Sequence, residues 1–217
     1  MHRTPTTPHH LTFRRSVAAV TVAVAVGLLV GVAPAGATKG RSGTEVATVI
    51  ATKWWPSTRT KLAAQIPAAK RLPLTKVKCP KAVPQIVDDP EAGIAAALAE
   101  VSAGPVKPSL KASGVFTCTA RLDGQPLLVV GAISPEDDGH FATASLVLAP
   151  DRVTSSAVEA FTTKTGQTAE GRCPGNVVLV VQPDTPIGCQ VRDVATKTIT
   201  DVTVTVDGDL NATFSFG

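Results

Sequence analysis

The sequence predicts an α+β fold made of two small tandem units, each a helix packed on a three- to four-stranded antiparallel sheet with one disulfide. Three observations carry this prediction: helical periodicity precedes strand-like runs, Asp-Gly pairs separate those runs, and four cysteines occur in two similar settings. Apolar residues at helical spacing indicate amphipathic helices, and Asp-Gly between apolar runs is a strong hairpin signal. We expect the first unit at residues 42–149 and the second at residues 150–217.

The first 37 residues have the order of a secretory signal peptide. Three arginines precede an apolar run at residues 16–33, and the small residues of positions 35–37 follow it. A basic start, an apolar core and a small-x-small site mark a chain for export and cleavage. The mature chain should therefore begin near Thr38 and be secreted or lie in the cell envelope. The alternative is an uncleaved anchor helix, since the run approaches membrane-spanning length; only then would the protein be membrane-bound.

Removal of the signal peptide changes the charge balance. Three of the 21 basic residues lie in the signal, so the mature chain has 18 basic residues against 17 acidic ones and a net charge of +1 instead of +4. A nearly neutral chain does not predict nucleic-acid binding. Residues 38–81, however, hold ten basic residues and one acid, Glu45. This asymmetry predicts either a basic face for polyanions or packing against the acidic remainder.

The first helix is expected to begin at Ser42. Ser-x-x-Glu, with Glu45 as the acid, is the capping-box pattern, in which each side chain accepts a hydrogen bond from the other residue's backbone. Apolar residues at helical spacing follow. Pro56 is expected to interrupt the helix, because proline lacks the N–H that an interior position needs. A second helical segment should then cover residues 57–65.

Two further helices have recognisable ends. An inserted helix within residues 85–108 has Asp89 as its cap, and it would form either a lid on the first unit or a bridge between units. A helix at residues 152–164 has Asp151 as its expected N-cap and Gly166 just past its end.

Strands are expected where Val, Ile, Leu and Thr concentrate between turn residues. The expected spans are 114–122, 126–133 and 140–148 in the first unit, and 188–194, 198–206 and 210–216 in the second, with a short fourth strand at 176–181.

Four cysteines in an exported chain predict two disulfides. Cys79 and Cys173 are each followed by proline, whereas Cys118 and Cys189 each open a strand-like run with arginine three residues later. The chain thus looks like one unit written twice, which pairs Cys79 with Cys118 and Cys173 with Cys189. A zinc site is the rival interpretation, but the close Cys-x-x-Cys pairs typical of such sites are absent.

The order of these motifs resembles the domain of unknown function 4333 family, small exported domains found mainly in actinobacterial envelope and secreted proteins. In the second half, Arg-Cys-Pro (172–174), Gly-Cys (188–189) and Val-Asp-Gly (206–208) fall in the family order. In the first half, Lys-Cys-Pro (78–80) and Gly-Val-Phe-Thr-Cys (114–118) fit, but a surplus of 23 residues departs from the pattern. The resemblance implies export, a paired-cysteine α+β fold and no established activity, so it brings no catalytic residue.

The residues do not form a recognisable catalytic motif. The mature chain has one histidine, His140, and lacks Gly-x-Ser-x-Gly, while its cysteines are assigned to disulfides. Nucleophilic catalysis needs a nucleophile beside a base, and metal sites usually need several His or carboxylate ligands. We therefore predict no enzyme activity, no metal and no cofactor. Acidic clusters at 88–89 and 136–138 leave one alternative, a wall-polysaccharide hydrolase that uses two turn carboxylates.

Two features predict binding instead. Two arrangements are open for Trp54 and Trp55. One ring could lie in the core and the other outside, where it could stack on a sugar, a lipid headgroup or a partner; both could instead pack under the sheet, which is the arrangement we expect. The second feature is a basic set that could contact anionic polymer or lipid or could be a solvated linker, consisting of Lys70, Arg71, Lys76, Lys78 and Lys81.

These features predict an exported, non-enzymatic binding or adaptor protein. Its expected partners are an anionic cell-wall polymer or lipid, or another envelope protein. A purely structural spacer is the further alternative.

The tandem interpretation predicts the disulfide connectivity of the purified mature protein. We expect no free thiol, because an oxidising compartment leaves an even set of cysteines paired. Non-reducing peptide mass mapping should link Cys79 to Cys118 and Cys173 to Cys189. A crossed pair, such as Cys79 with Cys173, would contradict the repeat.

Overall fold

A computed structural model describes residues 42–83, 88–102, 114–135 and 138–217. The expected signal peptide at 1–37, both ends of the 85–108 segment, and Glu136 and Asp137 lie outside the described residues. The described chain mixes helices with two four-stranded antiparallel sheets, a two-stranded sheet and two disulfides, which confirms the α+β prediction.

The chain is helical from Gly43 to Gln65, followed by a short 3-10 helix. The segments are α1 (Gly43–Val49), a π-helical turn (Ile50–Trp54), α2 (Trp55–Gln65) and the 3-10 helix (Pro67–Arg71). The predicted capping box is confirmed, because the Ser42 N–H donates to the Glu45 carboxylate at 2.8 Å and the Glu45 N–H donates to Ser42 Oγ at 3.3 Å. The predicted second helical segment is confirmed as α2, but Pro56 does not end the helix before it; the regular α-helical pattern is interrupted instead by the π turn that directly precedes α2. The π turn places Pro56 in the first turn of α2, where a missing N–H is tolerated.

The first sheet has the order β1-β2-β3-β4 with antiparallel neighbours. Its strands are β1 (Leu74–Lys78), β2 (Phe116–Leu122), β3 (Gln125–Ile133) and β4 (Gly139–Thr143). Asp123 and Gly124 have φ values of 50° and 76°, as a tight hairpin between β2 and β3 requires, so the Asp-Gly prediction is confirmed there. The expected strand at 140–148 is instead divided into β4 and β5 (Leu146–Leu148), and β1 was not predicted.

Helix α3 (Pro90–Ser102) covers the outer face of the first sheet. Ile94 and Ala97 form an apolar cluster with Val130, Ala132 and other small residues of β3 and β4. The Asp89 carboxylate accepts the Ala92 N–H at 3.0 Å and so caps the helix as predicted. Of the two expected roles, a lid on the first sheet is the one that this packing supports.

Helix α4 (Pro150–Thr165) packs on the inner face of the second sheet. Asp151 is not its N-cap: Ala149 holds that position without a side-chain hydrogen bond, and the helix begins at Pro150, two residues before the start that a cap at Asp151 would give. Asp151 lies in the first turn, where a negative charge still favours the helix dipole. Gly166 ends the helix at φ 73°, as predicted.

The second sheet has the order β10-β9-β8-β6, again with antiparallel neighbours. Its strands are β6 (Ala169–Arg172), β8 (Pro186–Asp193), β9 (Ile199–Val206) and β10 (Ala212–Phe216). The strand expected at 176–181 is β7 (Leu179–Val181), but it pairs with β5 and does not join this sheet. The fourth strand is β6, which precedes Cys173 and was not predicted.

The two disulfides are Cys79–Cys118 and Cys173–Cys189, each with Cα atoms 4.3 Å apart. This is the pairing that the sequence predicted. Each bond joins the residue that follows one strand to a residue inside the neighbouring strand.

One apolar core lies between the two sheets. A single cluster of buried residues includes side chains from both, among them Leu127 and Val129 of β3 and Val202 and Val204 of β9. The β5–β7 ladder runs through this region.

Polar side chains of the β2–β3 hairpin fasten it to the segment around β7. Gln125 Nε2 donates to the Val178 carbonyl at 2.7 Å, and the Val180 N–H donates to Gln125 Oε1 at 3.0 Å. The Asp123 carboxylate accepts the Val177 N–H at 2.9 Å. The halves of the chain are therefore joined by hydrogen bonds as well as by apolar contacts.

Asp193 organises the turn between β8 and β9. Its carboxylate accepts the N–H of Ala195 at 2.7 Å and of Thr196 at 3.1 Å, and the side chain is buried. The Thr196 backbone hydrogen bond, followed by that of Ala195, holds the pKa of Asp193 below its ordinary value of 3.8, although burial opposes this.

The packing of α3 predicts a position-specific effect of an introduced charge. Ala97 is fully buried and Ala96 is exposed on the same helix. Ala97→Asp should lower the free energy of unfolding by roughly 2–4 kcal/mol, since it places a carboxylate in an apolar contact. Ala96→Asp, with the same helix-propensity loss, should cost within about 0.7 kcal/mol. Equal urea midpoints for the two variants would mean that α3 does not pack as described.

The lowered pKa of Asp193 predicts a pH-dependent contribution to stability. The ionised carboxylate stabilises the fold above its ordinary pKa, and that stabilisation is lost as pH falls through the lower pKa of the folded state. Asp193→Asn should therefore unfold more easily than wild type at neutral pH, with the difference shrinking in acid. Urea unfolding from neutral pH to about pH 2 measures this. Asp209→Asn, at an exposed turn position, serves as the control; a constant gap for Asp193→Asn would contradict the prediction.

Candidate binding surface beside the first disulfide

Both tryptophans are buried, which is the expected one of the two arrangements, so neither offers the exposed ring that the binding hypothesis needed. Trp54 is 0% exposed and Trp55 is 3% exposed. Trp54 Nε1 donates to the Phe141 carbonyl at 3.1 Å, and Trp55 Nε1 donates to the Leu72 carbonyl at 3.0 Å. The π turn places consecutive residues on the core side, where both indole N–H groups find backbone acceptors. The tryptophans therefore support the structure and leave no aromatic platform for a ligand.

Trp55 positions the segment that leads into β1. Its hydrogen bond holds Leu72 between the 3-10 helix and the strand, and Ala69 and Leu74 are buried on either side. Lys70 and Arg71 lie at the end of the 3-10 helix and are exposed. The anchored apolar residues thus fix the backbone from which these two basic side chains reach solvent.

The register of β1 places more basic residues on the outer face of the first sheet. Thr75 pairs with Arg121, and Lys78 pairs with Thr119. Paired residues of an antiparallel ladder point to the same face, so Lys78 and Arg121 share a face, on the part of the sheet beside the region that α3 covers. Lys76 lies between them at a register shift, with φ 52°, and is exposed.

The chain after β1 is held close to the start of α1. A Cβ built on Gly43 would come within 2.0 Å of the Pro80 carbonyl oxygen, so only glycine permits this approach. The Gly43 N–H donates to the Lys81 carbonyl at 3.3 Å. Together with the Cys79–Cys118 bond, these contacts leave Lys81 exposed next to the end of β1.

Six exposed basic residues, which belong to the 3-10 helix, to β1 and the residues after it, and to the neighbouring strand β2, define what we call the basic surface: Lys70, Arg71, Lys76, Lys78, Lys81 and Arg121. Sequence reasoning selected all of them for binding except Arg121, which only the strand register places beside β1.

Acidic residues do not neutralise the basic surface in the part of the chain that the structure describes. No described carboxylate lies within 4.0 Å of its charged nitrogens; the ion pair found among described residues joins Arg192 and Glu170. Asp123, the acid that follows β2, accepts backbone N–H groups of Val177 and Val178. The predicted alternative, in which these lysines pair with the acidic remainder, has no support among described residues.

The outer face of the second sheet is a weaker candidate for a ligand-binding surface. A shallow groove of about 320 Å³ is lined by residues of β6, β8 and β9, including the half-exposed Ile199. Its polar groups already contact one another: Arg172 donates to Gln190 at 2.9 Å, and Arg192 pairs with Glu170. Groups that satisfy each other have less to offer a ligand than bases without a described carboxylate partner.

The residues considered for catalysis have structural surroundings of their own where the structure describes them. His140 is half-buried in β4 opposite Ala132, and Asp89 is occupied as a helix cap. Among described residues, no group of three or more His, Cys, Asp or Glu side chains has a metal-binding arrangement. The expected carboxylates Glu136 and Asp137 lie outside the described residues.

Comparison with known proteins returns no match: no family model, no curated protein and no solved structure is similar to this chain. Within the described residues, none of the helices has the length and apolar character needed to cross a membrane.

Proposed function

We propose that this protein is an exported, non-enzymatic binding module that attaches to anionic material of the cell envelope through its basic surface. The observation that carries the proposal is that the six bases of the basic surface are exposed and that no described carboxylate neutralises them. Three of the charges, those of Lys76, Lys78 and Arg121, stand on the β1–β2 strand pair, which a disulfide fixes, so their binding would not require the segment to become ordered first.

We also propose that the module consists of two copies of one unit. In each half a helix precedes a four-stranded sheet whose first strand ends directly before a cysteine. The partner cysteine is the third residue of β2 in one half and the fourth residue of β8 in the other. The same order of helix, strand, cysteine and disulfide in both halves supports the duplication, and with it membership of the exported family that the motifs resemble.

Export is supported by the disulfides together with the amino-terminal sequence. Two disulfides are typical of proteins that mature in an oxidising compartment. The basic start, apolar run and small residues of positions 1–37 would direct the chain there. Envelope polymers and lipids that carry phosphate or carboxylate groups would then be the anions that the basic surface meets.

The chemistry of the basic surface defines how it would bind. Lysines on an exposed face act as separate point charges, so they favour a repeated anionic group over a single shaped ligand. Exposed charges are screened over about 8 Å at physiological salt, so the binding should be weak and strongly dependent on ionic strength.

Lys76→Gln with Lys78→Gln should weaken binding to anionic vesicles about thirtyfold at low salt, because each lysine near an anionic membrane contributes about 1 kcal/mol. The matched control is Lys53→Gln with Lys61→Gln, which removes the same charge from exposed positions of the preceding helical segment. Cosedimentation with vesicles that contain or lack anionic lipid, and with purified cell wall, measures the affinity and separates the lipid and polymer sources.

If both double variants lose affinity equally, net charge and not the basic surface is responsible. Wild-type protein that sediments with neither vesicles nor wall at low salt would remove the proposal and favour a structural spacer. Turnover of wall polysaccharide by purified protein would instead favour the hydrolase.

A further inference from the structure

Three of the four outer strands of the two sheets are protected against pairing with another chain. Strand β1 has the register shift at Lys76 and exposed lysines. In β4, the Phe141 carbonyl accepts the indole N–H of Trp54. Strand β6 has only four residues and presents Glu170 and Arg172. Irregular register, charge, short length and coverage are the usual means by which proteins prevent edge-to-edge association.

Strand β10 has none of these protections. Its sequence, Ala-Thr-Phe-Ser-Phe, contains no charge and no proline, and its five residues pair with β9 in uninterrupted register. In the described chain, no strand pairs with its other side.

The hydrogen bonds at the two ends of β10 show which backbone groups face outward. The Asp207 N–H donates to the Asn211 carbonyl, and the Gly217 N–H donates to the Asp201 carbonyl, each at 3.0 Å. Because hydrogen-bonded positions of an antiparallel ladder alternate, Thr213 and Ser215 bond to β9. The residues whose N–H and C=O groups point away from the sheet are Ala212, Phe214 and Phe216.

The side chains of these same residues are incompletely covered. Inward-facing residues of β9, such as Val202 and Val204, are at most 1% exposed. Ala212, Phe214 and Phe216 point to the same side but are only half-buried. The edge therefore combines outward backbone donors and acceptors with apolar side chains that a further strand would cover.

We propose that β10 pairs antiparallel with β10 of a second copy of this chain, about a two-fold axis at Phe214. The three outward residues are symmetric about Phe214, so each Ala212 meets Phe216 of the other copy and the two Phe214 residues meet each other. The second sheet of one copy then joins the second sheet of the other copy to form one eight-stranded sheet. The interface is self-complementary, as a two-fold dimer requires.

The charges at the two ends of β10 favour a second copy of this chain as the partner, and they favour antiparallel over parallel pairing. The turn before the strand carries Asp207 and Asp209, and Lys164 lies over the Phe216 ring at the other end, 4.2 Å from its centre. Antiparallel pairing of two copies brings the acidic turn of each toward Lys164 of the other. A parallel arrangement would bring like charges together.

The mass of the mature protein in solution tests the proposal. Wild-type protein should approach twice the monomer mass in sedimentation equilibrium as its concentration rises. Ala212→Pro should raise the dimer dissociation constant at least about tenfold, because it removes one inter-copy hydrogen bond from each copy. The N–H that it removes points away from β9, so proline at this edge position should leave the monomer fold and its thermal midpoint nearly unchanged.

Cysteine cross-linking tests the register. In the proposed dimer Thr213 lies opposite Ser215 of the second copy as a non-hydrogen-bonded pair, with Cα atoms about 4.5 Å apart, which is within disulfide range. Thr213→Cys with Ser215→Cys should form a covalent dimer under mild oxidation. Thr203→Cys with Thr205→Cys, on the same face but one strand further in, should form several times less.

A wild-type protein that stays monomeric at all accessible concentrations overturns the proposal. A dimer whose mass is insensitive to Ala212→Pro, or equal cross-linking in the two cysteine variants, also overturns it, because the interface would then lie elsewhere.

Discussion

The apolar core between the two sheets is the feature on which the rest of the structure depends. The chain has no tyrosine, two tryptophans and six phenylalanines, so its core is built mainly of Val, Leu, Ile and Ala. Such side chains bury less area each than aromatic ones. Neither half has a large core of its own, and the contacts through the β5–β7 ladder let both halves contribute to one. The disulfides add a covalent constraint at the beginning of each sheet.

Several acidic side chains accept backbone N–H groups, and this explains how a chain with 17 acidic residues can present a basic surface that no described carboxylate neutralises. Glu45 and Asp89 cap helices, while Asp123, Asp193 and Asp207 accept N–H groups in or beside turns. A carboxylate held in this way satisfies local donors and has less freedom to reach a distant lysine. These carboxylates therefore lie beside the backbone N–H groups that they accept. The basic side chains of β1 and β2 remain available to contact an anionic ligand.

The two sheets differ mainly in what covers their outer faces and edges. In the first sheet α3 covers the apolar outer face of β3 and β4, and Trp54 caps a carbonyl of the edge strand β4. In the second sheet the corresponding strands β9 and β10 carry threonine and serine outward and no helix lies over them in the described chain. If the halves arose by duplication, the inserted helix and the free edge are the features that distinguish them, and the proposed anion-binding and dimer surfaces lie in different halves.

Local signals in the sequence determined the capping box at Ser42, the helix end at Gly166, the Asp123–Gly124 hairpin and, through the repeated motif, the cysteine pairs. The first three depend on residues close together in the chain, whereas the cysteine pairs, with sequence separations of 39 and 16, followed from the repeated order of motifs. The sequence also selected most of the basic surface, since lysines on a polar segment are exposed in almost any fold. Tertiary structure alone decided that both tryptophans are buried, that Arg121 joins the basic surface, that β7 pairs with β5, and that the polar segments β1 and β6 become strands. These outcomes depend on partners distant in sequence, because an edge strand gains its hydrogen bonds from a neighbour and needs no apolar pattern of its own.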